Sequence, residues 1–240
     1  MTRWRAFSLH LGLSALVGLG FAALTRFVWY PSPFFELSGA LGLLAILVPV
    51  DVLIGPLLTL MVFKTGKPSL RFDLTVIALL QATALMYGAW IIAEARPVYV
   101  VFFGNQLSVI RSTDLAQNAP WKTPLRGPQW VGIPSDSAIS ASVSDLLAAL
   151  NDKKTPLLDR QRYQPWLTTQ AAFRQALQPI EELTPASAAD AVKSGLKAQS
   201  IDPTKVQALP IVIRDQKMTA FFAADSDEIL AIVPVETSAR

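Results

Sequence analysis

Hydrophobic positions are distributed very unevenly along this chain: three apolar runs fill the first 96 residues, after which short alternating and periodic segments take over. The runs at 7–29, 37–63 and 74–93 are each close to or above the ~20 residues that a helix rising ~1.5 Å per residue needs to cross a hydrocarbon layer of ~30 Å. Residues 1–96 therefore read as a three-helix transmembrane domain. Beyond it, 97–103 and 106–110 flank Gly104-Asn105 and predict a hairpin, because both turn residues tolerate positive φ. Apolar runs at 209–214, 217–223 and 228–233 predict a closing three-stranded meander. Between these strands Ser144-Asp145 caps a predicted short helix with Leu146, Leu147 and Leu150. Thr168 or Thr169 caps one burying Phe173, Ala176, Leu177 and Ile180, and Thr184-Pro185 opens one carrying Ala188, Val192 and Leu196. The fold class expected is a membrane-anchored α+β protein, with residues 97–240 forming one antiparallel sheet covered by helices.

Several residues in the spans break the apolar pattern. Asp51 stands near the middle of the second span, where an acid costs on the order of 2.5–3.5 kcal/mol. Pro49 and Pro56 flank it and remove the usual donors to Ala45 and Val52, so a kinked or unwound helix is expected there. Counting depth from the helix ends sets Asp51 level with Gly18 in the first span and with Thr83 and Tyr87 in the third. Ser14, Gly18 and Ala22 form a small-residue stripe suited to close helix approach. Trp4 at one end and Trp29 and Tyr30 at the other are expected interface anchors. Pro31 and Pro33 should end the first helix in a stiff extended corner.

Charge orients the chain. Seven of its 21 basic residues and four of its 18 acidic residues fall within 1–96, leaving 14 of each in 97–240. A balanced C-terminal domain lacks the basic excess of a nucleic-acid binder. Arg3 and Arg5 precede the first span, and Lys64, Lys67 and Arg71 fill the link between the second and third. The positive-inside rule makes both segments cytoplasmic and residues 97–240 extracytoplasmic, which in a bacterium is the periplasm. The first apolar run is too long for a cleaved signal peptide and no small-x-small site follows it, so an uncleaved anchor is expected.

Candidate chemistry is sparse. The sequence has no cysteine and a single histidine, His10, which excludes thiol chemistry and a multi-histidine metal site. No phosphate-binding glycine loop or dinucleotide fingerprint appears. Glu181-Glu182 reads as a solvated helix face and Asp225-x-Asp227 as a turn. No enzyme activity, cofactor or metal is expected. Trp121 and Trp130, in a proline-rich stretch, are candidates for a partner surface or for the lid of a small core.

Particular strings add a resemblance. Trp4-Arg5-Ala6-Phe7 with His10, Val28-Trp29-Tyr30-Pro31-Ser32-Pro33-Phe34-Phe35, Asp51-Val52-Leu53-Ile54-Gly55-Pro56-Leu57-Leu58-Thr59-Leu60, Ser69-Leu70-Arg71-Phe72-Asp73-Leu74 and Ala95-Arg96-Pro97-Val98-Tyr99 together resemble type IV pilin accessory proteins of the TfpX/TfpZ group. The resemblance covers residues 1–103 and weakens beyond them. It implies a non-enzymatic inner-membrane protein that assists a cognate type IV major pilin, and it brings no catalytic or binding residues with it. From the residues themselves, the expected partner or bundle contacts are the small-residue stripe, Asp51 with its prolines, Thr83, Tyr87 and the two tryptophans, with Asp51 fixing bundle packing or meeting a partner or ion. A small ion-coupled transporter using Asp51 is the alternative reading.

Overall fold

The computed structural model describes residues 2–115, 123–134, 156–183, 190, 192–194, 196–197, 201–214, 216–224 and 226–234. The chain divides into two compact units, Met1–Arg96 and Pro97–Arg240.

The first unit holds three helices long and apolar enough to cross a membrane. Helix α1 runs Arg3–Leu24 and passes directly into a π-helical turn, Thr25–Trp29. A short helix α2, Phe34–Leu37, precedes α3, Ala40–Val62, and α4 follows at Leu70–Glu94. The second span thus starts three residues later than its apolar run. Gly39 adopts φ 72° before α3, a left-handed conformation that separates α2 from it. The corner between the first two spans is a turn rather than an extended segment: Phe34 N–H donates to the Pro31 carbonyl at 2.9 Å, and Ser32-Pro33 is cis. Helix α3 continues across Pro49 and Pro56, so the expected unwinding around Asp51 does not occur.

Burial follows one stripe per helix. Ala6, Ser14, Gly18 and Thr25 are the buried residues of α1 and its π-turn, while Ala40, Leu44, Asp51, Gly55 and Thr59 recur at helical spacing on α3. A Cβ at Gly18 would meet Val48 and Val52 of α3 at 3.0 and 3.2 Å, so the small stripe seats α1 on α3. Tyr30 is 1% exposed and its hydroxyl donates to the Ile92 carbonyl at 2.8 Å. It packs with Ala40, Leu44 and Ile92. Tyr30 is therefore an internal tie between the first turn and the end of α4 and not the interface anchor expected from its place in the sequence. Trp29 is partly buried edge-on to Phe21, and Trp4 stays exposed.

The second unit is built on a mixed sheet. Strands β1, Pro97–Phe103, and β2, Gln106–Arg111, form the expected hairpin around Gly104, which takes φ 60°. The meander is β6, Val206–Ile213, β7, Gln216–Ala223, and β8, Ile229–Pro234. Shorter strands are β3, Gln129–Gly132, β4, Gln164–Pro165, and β5, Gln178–Pro179. The order is β4-β3-β1-β2-β6-β7-β8, with β5 on β6. Hairpin and meander are antiparallel within themselves, but β1 pairs with β3 in parallel and β2 with β6 in parallel. The membrane-anchored α+β class holds, and the sheet is mixed.

Helix α5, Trp166–Ala176, starts before Thr168 and Thr169 and follows Pro165 without a side-chain cap. Thr169 packs against β3, where a Cβ at Gly132 would lie 2.2 Å from its hydroxyl. Ile180 is not part of α5: Gln178 and Pro179 pair with β6, and a separate short helix α6, Ile180–Leu183, begins at Ile180. Proline at 179 disfavours helix at the residue before it. Val192 and Leu196 are buried with Ile180, Val206 and Phe221, as the helical pattern required. The expected helix near 144–150, the Thr184-Pro185 start, Ala188 and Trp121 lie outside the described residues.

Candidate functional site

The membrane unit carries a polar seam in an otherwise apolar bundle. Its centre is Gln81 of α4, whose Nε2 donates to the Asp51 carbonyl at 2.9 Å and lies 3.5 Å from both Asp51 Oδ1 and Ser14 Oγ. One side chain therefore reaches all three spans. Gly55 makes room for it: an ideal Cβ there would fall 2.0 Å from the Gln81 amide. Two turns toward the C-terminal end of α3, Thr59 is 3% exposed, and its hydroxyl lies 2.7 Å from His10 Nδ1. Asp51 and Ser14 are buried as well.

This geometry rearranges the expected contacts. Ser14, Gly18 and Asp51 face one seam, Ala22 packs beside it in the Tyr30 cluster, and Pro56 is buried on α3 whereas Pro49 is exposed. Thr83 and Tyr87 do not face Asp51. Both are exposed, and the Thr83 hydroxyl donates to Leu79 of its own helix at 2.8 Å. Depth alone placed them level with Asp51, but each residue also turns the helix by about 100°, so Thr83 stands about 200° around α4 from Gln81. Gln81 was missed for the same reason. Its signal was present in the sequence as an uncharged polar residue inside an apolar run.

In the second unit, Trp130 belongs to an aromatic cluster, with ring centroids 4.9 Å from Trp166 and 6.3 Å from Phe173. Asp227, expected only as a turn residue, holds α5 in place. It accepts from Trp166 Nε1 at 2.8 Å, from Gln170 Nε2, and from Arg174 at 2.8 Å in an ion pair. The donors lie at i, i+4 and i+8, on one face of α5. Across the sheet, the Tyr163 hydroxyl donates to the Leu157 carbonyl, and burial pushes its pKa well above the ordinary phenol value. Among the described residues no group of three or more His, Cys, Asp or Glu is arranged to hold a metal ion.

A family model described as fimbrial assembly protein FimB matches residues 1–39, which take in α1, the π-turn and α2. The chain is 36% identical over 112 residues to two Dichelobacter nodosus proteins, the fimbrial assembly proteins of serogroup E1 and of serogroup I. Each match covers 45% of this chain and 42% of the relative, so the chain spans less than half the length of these two. It is 35% identical over 112 residues to the fimbrial assembly protein of serogroups C1 and C2 from the same organism, 83% of which is covered. No solved structure matches.

Proposed function

The chain belongs to the fimbrial assembly protein family, and we propose that it is a non-enzymatic, chaperone-like accessory protein of the bacterial inner membrane. Its client in this reading is a type IV major pilin, and its narrower kin are the TfpX/TfpZ group. The observation that carries the proposal is the extended similarity to a relative named for fimbrial assembly. Within the membrane unit Gln81 bonds both Asp51 and Ser14, which ties the three spans into one bundle for that role.

Orientation follows from charge. Arg3, Arg5, Lys64, Lys67 and Arg71 collect where α1 begins, α3 ends and α4 begins, with Asp73 on Lys67 at 2.6 Å as their one acid, whereas at the other end Arg26 and Arg96 are matched by Glu36, 3.4 Å from Arg26, and Glu94. The basic end faces the cytoplasm and residues 97–240 enter the periplasm. A pilin is held in the same membrane by an apolar helix with its head in the periplasm. The outward faces of α1, at Leu9, Leu13 and Leu16, and of α4, at Thr83, Met86 and Tyr87, meet that helix, while the second unit meets the head. Two weak contacts on one client reinforce each other through effective concentration.

Photocrosslinkers placed in cells at Leu13, Tyr87 and Leu167, all exposed, test this directly. Gly18 and Asp51 are unsuitable positions, since both are buried inside the bundle. Adducts with the major pilin are expected from both units. Adducts exclusively with other proteins, from all three positions, reject the client. Counting surface pili in a deletion strain, with and without the retraction motor, then separates assembly from dynamics.

A further inference from the structure

The polar seam is lopsided along the membrane normal. From Asp51 toward the end of α3 that lies beside the start of α1, it continues through Gln81, Ser14, Thr59 and His10. Thr59 is eight residues from Asp51, about 12 Å along the helix. In the opposite direction the same α1–α3 interface holds Gly18 against Val48 and Val52, then Phe21, Ala22, Leu44 and Ala40. No side-chain polar group appears on that path until Thr25. A through pathway would need polar groups on both sides of the acid. This seam ends at it.

The geometry points to Asp51 as a proton-binding site reached from one membrane face only, the face carrying Arg3, Arg5, Lys64 and Arg71, by way of His10 and Thr59. The Gln81 amide lies over Gly55, four residues or about 6 Å along α3 from Thr59, so Gln81 and Thr59 stand against one face of α3. Gln81 serves both states of the acid. Its Nε2 faces Asp51 Oδ1, as the ionised carboxylate requires, while its Oε1 is buried without a hydrogen-bond partner. Buried acceptors demand a donor, and the protonated Asp51 hydroxyl supplies one once the amide turns away from the Asp51 carbonyl. The proton comes from water at the basic face, reaches Asp51 along the side of the α1–α3 interface that carries His10, Thr59 and Ser14, and leaves by the same side. His10 of α1 is the ionisable side chain placed along this path; α4 brings the uncharged Gln81, and α3 carries no second charge. Proton binding thus alters the bond that joins α3 to α4.

The test uses the full chain in sealed vesicles of uniform orientation, with impermeant buffers setting the pH of each side separately. A hydrophobic carbodiimide, which adds to a protonated carboxyl, is applied, and labelling of Asp51 is read by mass spectrometry. Labelling is expected to change several-fold with the pH of the basic face and not with that of the other. His10→Phe with Thr59→Val should slow the response at least tenfold. Labelling that follows the opposite face, or both faces equally, overturns the proposal. If the reagent fails to label, the infrared carboxylic-acid band lost in Asp51→Asn reads the same titration, and a band indifferent to the pH of the basic face also overturns it.

Discussion

A methyl group at position 55 and the amide of Gln81 need the same space, since a Cβ there falls 2.0 Å from the amide carbon. Gly55→Ala is therefore expected to expel Gln81 from its bond to the Asp51 carbonyl. Interhelical hydrogen bonds in membranes are worth about 0.6 kcal/mol on average and about 1.7 at most, so a loss of about 1 kcal/mol is expected. The informative measurement is a double-mutant cycle in detergent unfolding. Gly55→Ala and Gln81→Ala together should cost clearly less than their sum, because each removes the same contact, and full additivity would refute the shared site. Tyr30→Phe removes one buried bond to Ile92 and should cost about 1 kcal/mol in the same assay. Sequence made Asp51, Gly18 and Ser14 legible because a lone acid and small residues stand out in an apolar run. Gln81 and Tyr30 escaped because their roles depend on azimuth and on which carbonyl lies opposite, neither of which a linear depth scale contains.

Elements were legible where a local rule fixes them. The β1–β2 hairpin and the meander follow from alternation and turn residues, and their registers are antiparallel because short turns permit nothing else. The parallel seams, β1–β3 and β2–β6, join segments distant in sequence and leave no local mark. The same limit hid the grip of Asp227 on α5, whose donors lie 53 to 61 residues away. Asp227→Ala should release three donors at once, and at partial exposure a loss of about 2 kcal/mol is expected. Near-UV circular dichroism of the Trp130–Trp166 pair during thermal unfolding reports it, and an unchanged midpoint would contradict the anchoring role. Tyr163 sets an alkaline limit. Its folded-state pKa is raised, so the neutral phenol's contribution is complete below the unfolded value of about 10 and declines as pH rises toward the folded value. Thermal midpoints should fall above about pH 10 in the parent and less steeply in Tyr163→Phe, which cannot ionise there.

At the scale of the whole chain, the proposed role depends on covalent continuity between two units that each hold a client weakly. The division at Arg96 and Pro97 offers a way to test that dependence. A flexible link keeps the second contact at an effective concentration in the mM range, falling roughly as the −3/2 power of its length. Inserting a Gly-Ser segment of about ten residues between Arg96 and Pro97 should lower piliation only a few-fold, since the tether weakens without vanishing. Expressing residues 1–96 and 97–240 as separate chains, the latter with its own export signal, should abolish piliation even when both accumulate, because micromolar concentrations replace millimolar ones. The decisive comparison is between these two strains at matched protein levels, by counts of surface pili. If separate chains restore piliation as well as the inserted chain does, the units act independently and the two-contact account of client selection fails. If the insertion alone abolishes it, geometry rather than effective concentration governs the link.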